Sequence, residues 1–401
     1  MSTNRESSPA GIPDDIFPLD PGGDIVLDIH GVSKVLVSAL HAQDLESGIL
    51  TSLPSQLVNN SSDSDSGTED DGKGVLSVLV SSDRLTDASP HFANMLGSLT
   101  EAMVSNDQSM NEHWRIRIDL PLRPLEHAMD INDESLAFLY LLVILHGQGR
   151  FIPVEVPLDI LVALALLVDF LGEPCYQAAK GVADIWVKVL NGDVDHEDVM
   201  GPAVNIHERL AWVLIGHVFK REDVFRFATK AVLLSSEGKI ESMLPIPAAI
   251  LESLNANRTK TLTTLTRLLT HLREPILSGC RNKTGLIPLQ TDLEESYVHV
   301  LPEHVSLAVA EDLDNQACVN AVLRAYEAAM EFLGILTTVG LDFEGLSVRK
   351  IVSGALRIDV SEGEEYLDNG AHERCSVSWR VRGVLGVFEM PAGLQLEEFQ
   401  D

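Results

Sequence analysis

Short apolar runs in the first half of the chain predict the strands of a small β-sheet. Val75–Val80 is apolar at every position except Ser77, and a polar turn follows it. Arg115–Leu120 alternates charged and apolar residues, which is the pattern of a half-buried strand. A third run, Asp24–Ile29, comes after a Gly-Gly turn and ends at His30. We expect these three runs to form the sheet, with Asp24–Ile29 as its first strand.

Three longer apolar stretches predict helices: Glu134–His146, Leu158–Leu171 and Cys175–Leu190. The first is apolar on nearly every side, as is typical of a helix that is buried all round. Asp133 is well placed to cap its start, and Gly147 is well placed to end it. The second and third stretches are expected to form a helical pair.

Helical spacing of apolar residues continues in the second half, beyond an acidic linker at 193–198. Helices are predicted at 210–219, 224–234, 312–334 and 345–357, and Pro247 is placed to start another. Five further residues share a three-four spacing: Leu262, Leu265, Leu269, Leu272 and Ile276. Because Pro275 ends this pattern before the length of a coiled coil, it predicts one buried face of an ordinary helix.

These patterns predict an α+β N-terminal domain at 22–190 and an all-α domain at 205–399. Residues 1–21 carry four prolines among acids and serines, so we expect a disordered tail. An acidic, serine-rich run predicts a disordered insertion at about 55–73. The alternative is that Lys34–Leu40 is itself the second strand and helix, which would change the placement of the strands.

One stretch resembles a known interaction domain. Val75–Val80 leads into a short helix and then into Ala88-Ser-Pro-His-Phe-Ala-Asn-Met-Leu96. This is similar to the second strand and first helical pair of the BTB/POZ fold. The later order, a strand, a helix and then a helical pair, also follows that family, and Ile144-Leu-His-Gly147 resembles its fungal members. The resemblance implies a small sheet capped by helices, with a helical extension behind it.

The composition narrows the class of partner. The chain has 401 residues and a formal net charge of −31, which disfavours binding to nucleic acid or anionic lipid. Four cysteines without a repeated spacing and an N-terminus without an apolar core predict a cytoplasmic or nuclear protein. The most apolar stretches fall short of the ~20 residues that cross a bilayer, so no membrane partner is expected.

Few residues point to chemistry. Phosphate-binding loops, His-Glu-x-x-His and Gly-x-Ser-x-Gly are absent from the sequence, so no enzyme is predicted. One weak candidate set for zinc consists of Cys280, Cys318, His372 and Cys375, since three thiols and an imidazole complete a tetrahedral site. Packed or surface thiols are the alternative for this set, and no cofactor is predicted. Cys175 is expected to be a small buried hydrophobe.

By resemblance, the predicted function is protein–protein interaction, with the chain itself or another BTB protein as the partner. A substrate adaptor for a cullin-type ubiquitin ligase is an alternative. Such adaptors use an apolar-x-Glu element after the third long helix, where this chain has Pro153 and Glu155. The sequence also leaves open an enzyme whose site lies unrecognised in the helical domain, and a transcription-associated scaffold.

Overall fold

A computed structural model describes residues 15–41, 73–103, 114–120, 122, 131–191, 205–277, 315–335, 343–358 and 377–400. The chain divides into two compact units. The first consists of residues 1–225 with 242–245, and the second of 226–241 with 246–401. The protein is of mixed α+β class, with the sheet in the first unit. The predicted insertion at 55–73 lies outside the described residues, except for Lys73.

Within the residues described, the sheet has four strands: β1 Ile16–Pro18, β2 Ile25–Ser33, β3 Lys73–Val80 and β4 Trp114–Asp119. Their order is β1-β3-β2-β4. β2 and β3 are antiparallel, whereas β1 runs parallel to β3 and β4 runs parallel to β2. The three predicted runs are strands, but Asp24–Ile29 belongs to the second strand and not to the first, because β1 precedes it. The alternation in β4 buries Ile116 and Ile118, while its charged residues are exposed.

The strand β1 corrects the prediction of a disordered tail over 1–21. Ile16–Pro18 pairs with Ser77–Leu79, and both Phe17 and Leu19 are buried. The backbone N–H of Asp20 also donates to the carbonyl of Leu79 across 3.0 Å. A strand of three residues next to prolines is too short for its sequence to show the alternation of a strand. Its extended structure therefore depends on pairing with β3.

In the described part of the first unit, seven helices accompany the sheet: α1 Lys34–His41, α2 Ser82–Ala88, α3 Pro90–Met103, α4 Ile131–Leu145, α5 Leu158–Leu171, α6 Glu173–Asn191 and α7 Ile206–Val218. A short 3-10 helix, Gly149–Phe151, joins α4 to α5. The alternative for 34–40 is right about the helix but wrong about the strand, because 34–40 is helical throughout and β2 pairs with β3 and β4.

The buried helices α4 and α5 match their predictions, with one correction at the start of α4. This helix begins at Ile131, so Asp133 lies in its first turn and is not its cap. At the other end, Gly147 has a φ of 69°, and its N–H donates to the carbonyl of Ile144. The N–H of Gln148 reaches the carbonyl of Val143 at 2.9 Å, which completes a Schellman ending.

The division between the units falls inside α8, Glu222–Ser235. The sequence places the start of the helical domain at 205, but α7 belongs to the first unit. The second unit continues with α9 Ala248–Thr270, α10 Arg273–Leu277, α11 Asn315–Phe332, α12 Val348–Leu356 and α13 Val377–Val387, and a 3-10 helix at Leu396–Phe399. No described helix is both long enough and apolar enough to cross a membrane.

The core of the second unit contains the predicted row from Leu262 to Ile276, and all five of its members are buried. The row therefore packs on its own unit, as expected. It is not one face of a single helix, however, because α9 ends at Thr270 and Ile276 lies in α10. The helix α13 was not predicted, because Gly383–Gly393 has a weakly periodic, Gly-rich sequence. Its residues Val377, Val381 and Val384 join the same core at i, i+4 and i+7 spacing.

Candidate interaction surface

The junction between β3 and α2 is held by a buried histidine. His146 follows the last residue of α4, and its Nε2 accepts a hydrogen bond from the backbone N–H of Ser81 at 3.0 Å. Its Nδ1 lies 2.7 Å from the carbonyl of Leu142, so the neutral ring donates there. Burial lowers the pKa of His146. The histidine is therefore a structural link between the sheet and α4.

The Ala-Ser-Pro segment that resembles the BTB/POZ motif is anchored between α5 and α6. The hydroxyl of Ser89 donates to the carbonyl of Leu171 at 2.7 Å, and the thiol of Cys175 donates to the carbonyl of Ala88 at 3.2 Å. Burial raises the pKa of Cys175 to about 12. The prediction that Cys175 is a buried hydrophobe is confirmed, since a thiol with this pKa is a poor nucleophile at neutral pH.

The link between α4 and α5 is fixed on α6 by a tryptophan. The indole Nε1–H of Trp186 donates to the carbonyl of Pro153 at 2.7 Å, and Tyr140 of α4 meets the indole edge-on with ring centroids 5.7 Å apart. Pro153 itself is buried. The next two residues face outward: Val154 is 68% exposed, and Glu155 is exposed as well.

One face of the sheet carries a polar network across three strands. Asp28 of β2 accepts a hydrogen bond from the hydroxyl of Ser77 on β3 at 2.6 Å. It also lies 3.1 Å from the guanidinium of Arg115 on β4, which approaches Asp15 at 3.6 Å. One guanidinium is thus shared between two carboxylates, and these contacts join β2, β3 and β4 on this face.

Exposed large apolar residues are the feature of the first unit that points most directly to a partner. Val75 and Trp114 lie on the sheet, Val154 on the link between α4 and α5, and Ile185 and Val189 on α6. On α6, Ile185 and Val189 are four residues apart and so lie on the same side of the helix. Periodicity could not identify Ile185 and Val189 as surface residues, because α6 is apolar on several sides.

The end of α7 contains a strained lysine that sequence reasoning missed. Lys220 has a φ of 52°, where glycine is preferred. Its Nζ lies 4.6 Å from the centroid of the Tyr176 ring and 3.0 Å from Oε2 of Glu173. The cation–π contact and the exposed ion pair both restrain this side chain. Lys220 thus attaches the end of α7 to the start of α6.

The candidate zinc set stays a prediction. Cys280, His372 and Cys375 lie outside the described residues. Cys318 lies near the start of α11, which agrees with the expected placement near a helix end. Among the described residues, no group of three potential ligands is close enough to hold one metal ion.

Comparisons with known proteins give no relative for this chain: no family model, no curated protein and no solved structure matches it.

Proposed function

We propose that the chain is a protein–protein interaction module of the BTB/POZ type, and that its first unit carries the association. The observation that carries this proposal is the order of elements around the sheet. A strand and the helical pair α2–α3 are followed by a second strand, by α4, and then by the helical pair α5–α6. This is the order that the resemblance in sequence implies.

A second observation supports association in place of catalysis. The buried titratable groups that join the elements of the first unit, His146 and Cys175, both bond to backbone groups. They hold helices and strands together, and neither is free to act on a substrate. By contrast, the apolar residues Val154 and Ile185 face solvent on a unit that has a well-packed core. These side chains are available to contact another protein.

The structure of the link between α4 and α5 bears on the cullin-adaptor alternative. That function needs an exposed apolar anchor two residues before Glu155. Pro153 occupies this place, but it is buried, and its carbonyl accepts the indole proton of Trp186. This favours association through another face, with the chain itself or a second BTB-type protein in the cytoplasm or nucleus as the partner. The net charge of −31 makes nucleic acid an unfavourable partner.

Isotope-mixed cross-linking of the full chain tests the proposal. Unlabelled and heavy-isotope chains are mixed, treated with a lysine-reactive reagent and digested, so that light–heavy pairs report contacts between molecules. We expect these pairs at the exposed first-unit lysines Lys180, Lys188 and Lys220. Lys260 of α9 is the matched control in the second unit.

If the chain does not self-associate, the same first-unit lysines should cross-link to a foreign protein in an extract of its own cells. Intermolecular pairs confined to the second unit, or none in either preparation, would contradict the proposed function.

A further inference from the structure

The helix α12 of the second unit carries two arginines whose charges are not matched by a described acid. Val348–Leu356 contains Arg349 and Lys350 and no acid, and Arg357 follows it directly. The Nζ of Lys350 lies 3.8 Å from the carboxylate of Glu237, but neither arginine forms an ion pair with a residue that the structure describes. Guanidinium groups bind carboxylates and phosphates strongly. In a chain with 60 acids and 29 bases, these two arginines therefore point to an anionic group that joins them.

Ser353 lies midway between the two arginines on the same side of the helix. The three positions are four residues apart, and Arg357 keeps a right-handed helical backbone, so the row continues past the last residue of α12. Residues with this spacing stand about 6 Å from each other along the helix axis. Ser353 is exposed, and its hydroxyl donates to the carbonyl of Lys350 at 3.3 Å. An anion on Ser353 would thus lie within reach of both guanidinium groups.

The sequence before Ser353 has a charge pattern that basophilic protein kinases accept. Arg349-Lys-Ile-Val-Ser353 places two basic residues four and three positions before the hydroxyl. Kinases select their substrates largely by such patterns of charge around the residue that they modify. The same arginine that faces Ser353 in the folded helix therefore also contributes to recognition by the enzyme.

The last turn of α12 can open without exposing much of the core. Of the residues Ser353–Leu356, one, Ala355, is buried, whereas Val348 and Ile351 anchor the earlier part of the helix. A helix of nine residues has little stability by itself, so its end opens before the unit unfolds. Such opening presents the serine and the basic residues before it as an extended segment to the active site of a kinase.

We propose that Ser353 is a phosphorylation site and that its phosphate is held between Arg349 and Arg357. The phosphoryl group comes from a nucleoside triphosphate. A bond forms between the γ-phosphorus and Oγ of Ser353, the bond from this phosphorus to the β-phosphate oxygen breaks, and the nucleoside diphosphate leaves. The hydroxyl proton passes to the catalytic base of the kinase. This modification goes beyond the proposed function, since it concerns the second unit and needs no partner protein in the final state.

The two arginines determine what the phosphate does to the helix. A phosphoserine carries a charge of about −2 at neutral pH and three strong acceptor oxygens. Each guanidinium can donate two parallel hydrogen bonds to these oxygens. Two such contacts outweigh the repulsion between the phosphate and the negative end of the helix dipole. Phosphorylation is therefore expected to hold the last turn of α12 closed.

Peptide mapping of the full chain tests the site. The chain is incubated with magnesium ATP in an extract of its own cells and then digested with trypsin. Cleavage after Lys350 and Arg357 releases Ile351–Arg357, in which Ser353 is the one residue with a hydroxyl group. We expect this peptide to gain the mass of one phosphoryl group. Arg349→Gln should lower the yield at least about fivefold.

The matched control for recognition is Arg382→Gln on α13, which removes the same charge from another exposed arginine of the second unit. Its yield at Ser353 should stay within about twofold of the wild type. Absence of phosphate from Ile351–Arg357, or equal yields from the two variants, would overturn the proposed site.

Hydrogen exchange tests how the phosphate is held. The full chain with phosphoserine incorporated at position 353 during synthesis is compared with the unmodified chain. Exchange of the amides at 353–357 should slow at least about threefold. In Arg357→Gln the phosphate loses one of its two partners, so most of this slowing should disappear. Equal slowing with and without Arg357, or faster exchange in the phosphorylated chain, would contradict the proposed contacts.

Discussion

The backbone N–H of Ser81 donates a hydrogen bond to Nε2 of His146 across 3.0 Å, a contact that only the neutral imidazole can accept. Since Nδ1 already faces the carbonyl of Leu142, a second proton would have to go on Nε2, against the Ser81 N–H. The nearest charges, Asp20 and Arg84, act on the pKa of His146 in opposite directions, and burial lowers it. The folded protein therefore resists protonation of this ring.

This relationship predicts a loss of stability in mild acid. The pKa of His146 is lower in the folded than in the unfolded chain, so the unfolded chain takes up the proton first as the pH falls. The neutral His146 ring makes its full contribution to the free energy of unfolding above about pH 6.5. This contribution declines as the pH falls from there toward the lower pKa of the folded state.

In His146→Gln, the side-chain oxygen can accept the Ser81 N–H at any pH. Urea unfolding of both proteins at about pH 7.5 and 5.5 should show a smaller pH effect in the variant, by about 1 kcal/mol. An equal pH effect in both proteins would contradict this role for His146.

Leu19 should be essential to the first unit, although the sequence places it in a tail. It is buried beside β1, and removal of its side chain to Cβ leaves a cavity. We expect Leu19→Ala to lower the free energy of unfolding by about 2–4 kcal/mol. Val75→Ala on the adjacent strand removes an exposed side chain and should cost less than about 1 kcal/mol. Equal melting temperatures for the two variants would show that the 15–21 segment does not pack.

Arg258 should stabilise the second unit through its fork of donors. It is a buried residue of α9, and its Nε donates to the carbonyl of Ser236 at 3.1 Å. Its Nη2 reaches the carbonyls of Phe343 and Leu346 at 2.8 and 3.0 Å. Lysine cannot reproduce this fork, so Arg258→Lys should lower the free energy of unfolding by about 2–4 kcal/mol.

The matched control for Arg258 is Arg267→Lys on the exposed side of the same helix. Its calorimetric melting temperature should equal that of the wild type, because surface substitutions rarely exceed about 0.5 kcal/mol. If both variants melt together, the three carbonyl contacts do not stabilise the unit.

Gly393 should control the docking of the C-terminal segment on α8. A Cβ on Gly393 would overlap the carbonyl oxygen of Arg226, and the next N–H, that of Leu394, donates to the hydroxyl of Thr229 at 2.9 Å. Gly393→Ala should therefore speed hydrogen exchange in 391–399 at least about tenfold. Gly386→Ala on α13 meets open space and should leave exchange there unchanged. Unchanged exchange in both variants would mean that the segment is not held at Gly393.

Much of the helical structure could be predicted because single rows of apolar residues determine it. The row from Leu262 to Ile276 is buried throughout, and the alternation in β4 sets which side chains face the core. In both cases the apolar residues recur in the sequence at the period of the helix or strand, which places them on one buried face. Such elements need no knowledge of their neighbours.

The elements that were missed depend on their neighbours. β1 has only three residues, Ile16–Pro18, and it is a strand because β3 offers it an edge. The exposed positions of Ile185 and Val189 could not be recognised either, because α6 is apolar over much of its circumference and its sequence does not say which part the unit covers. The difference between Trp186, which is buried, and Ile185, which is exposed, appears only once the helix is placed.

Light scattering of the full chain after size exclusion, at about 100 µM, tests the central claim most directly. The account predicts a particle mass well above the 43.7 kDa of one chain that approaches twice this value as concentration rises. A wild-type mass of 43.7 kDa at every concentration, together with no cross-linked partner at the first-unit lysines, would contradict the account of this protein as an interaction module.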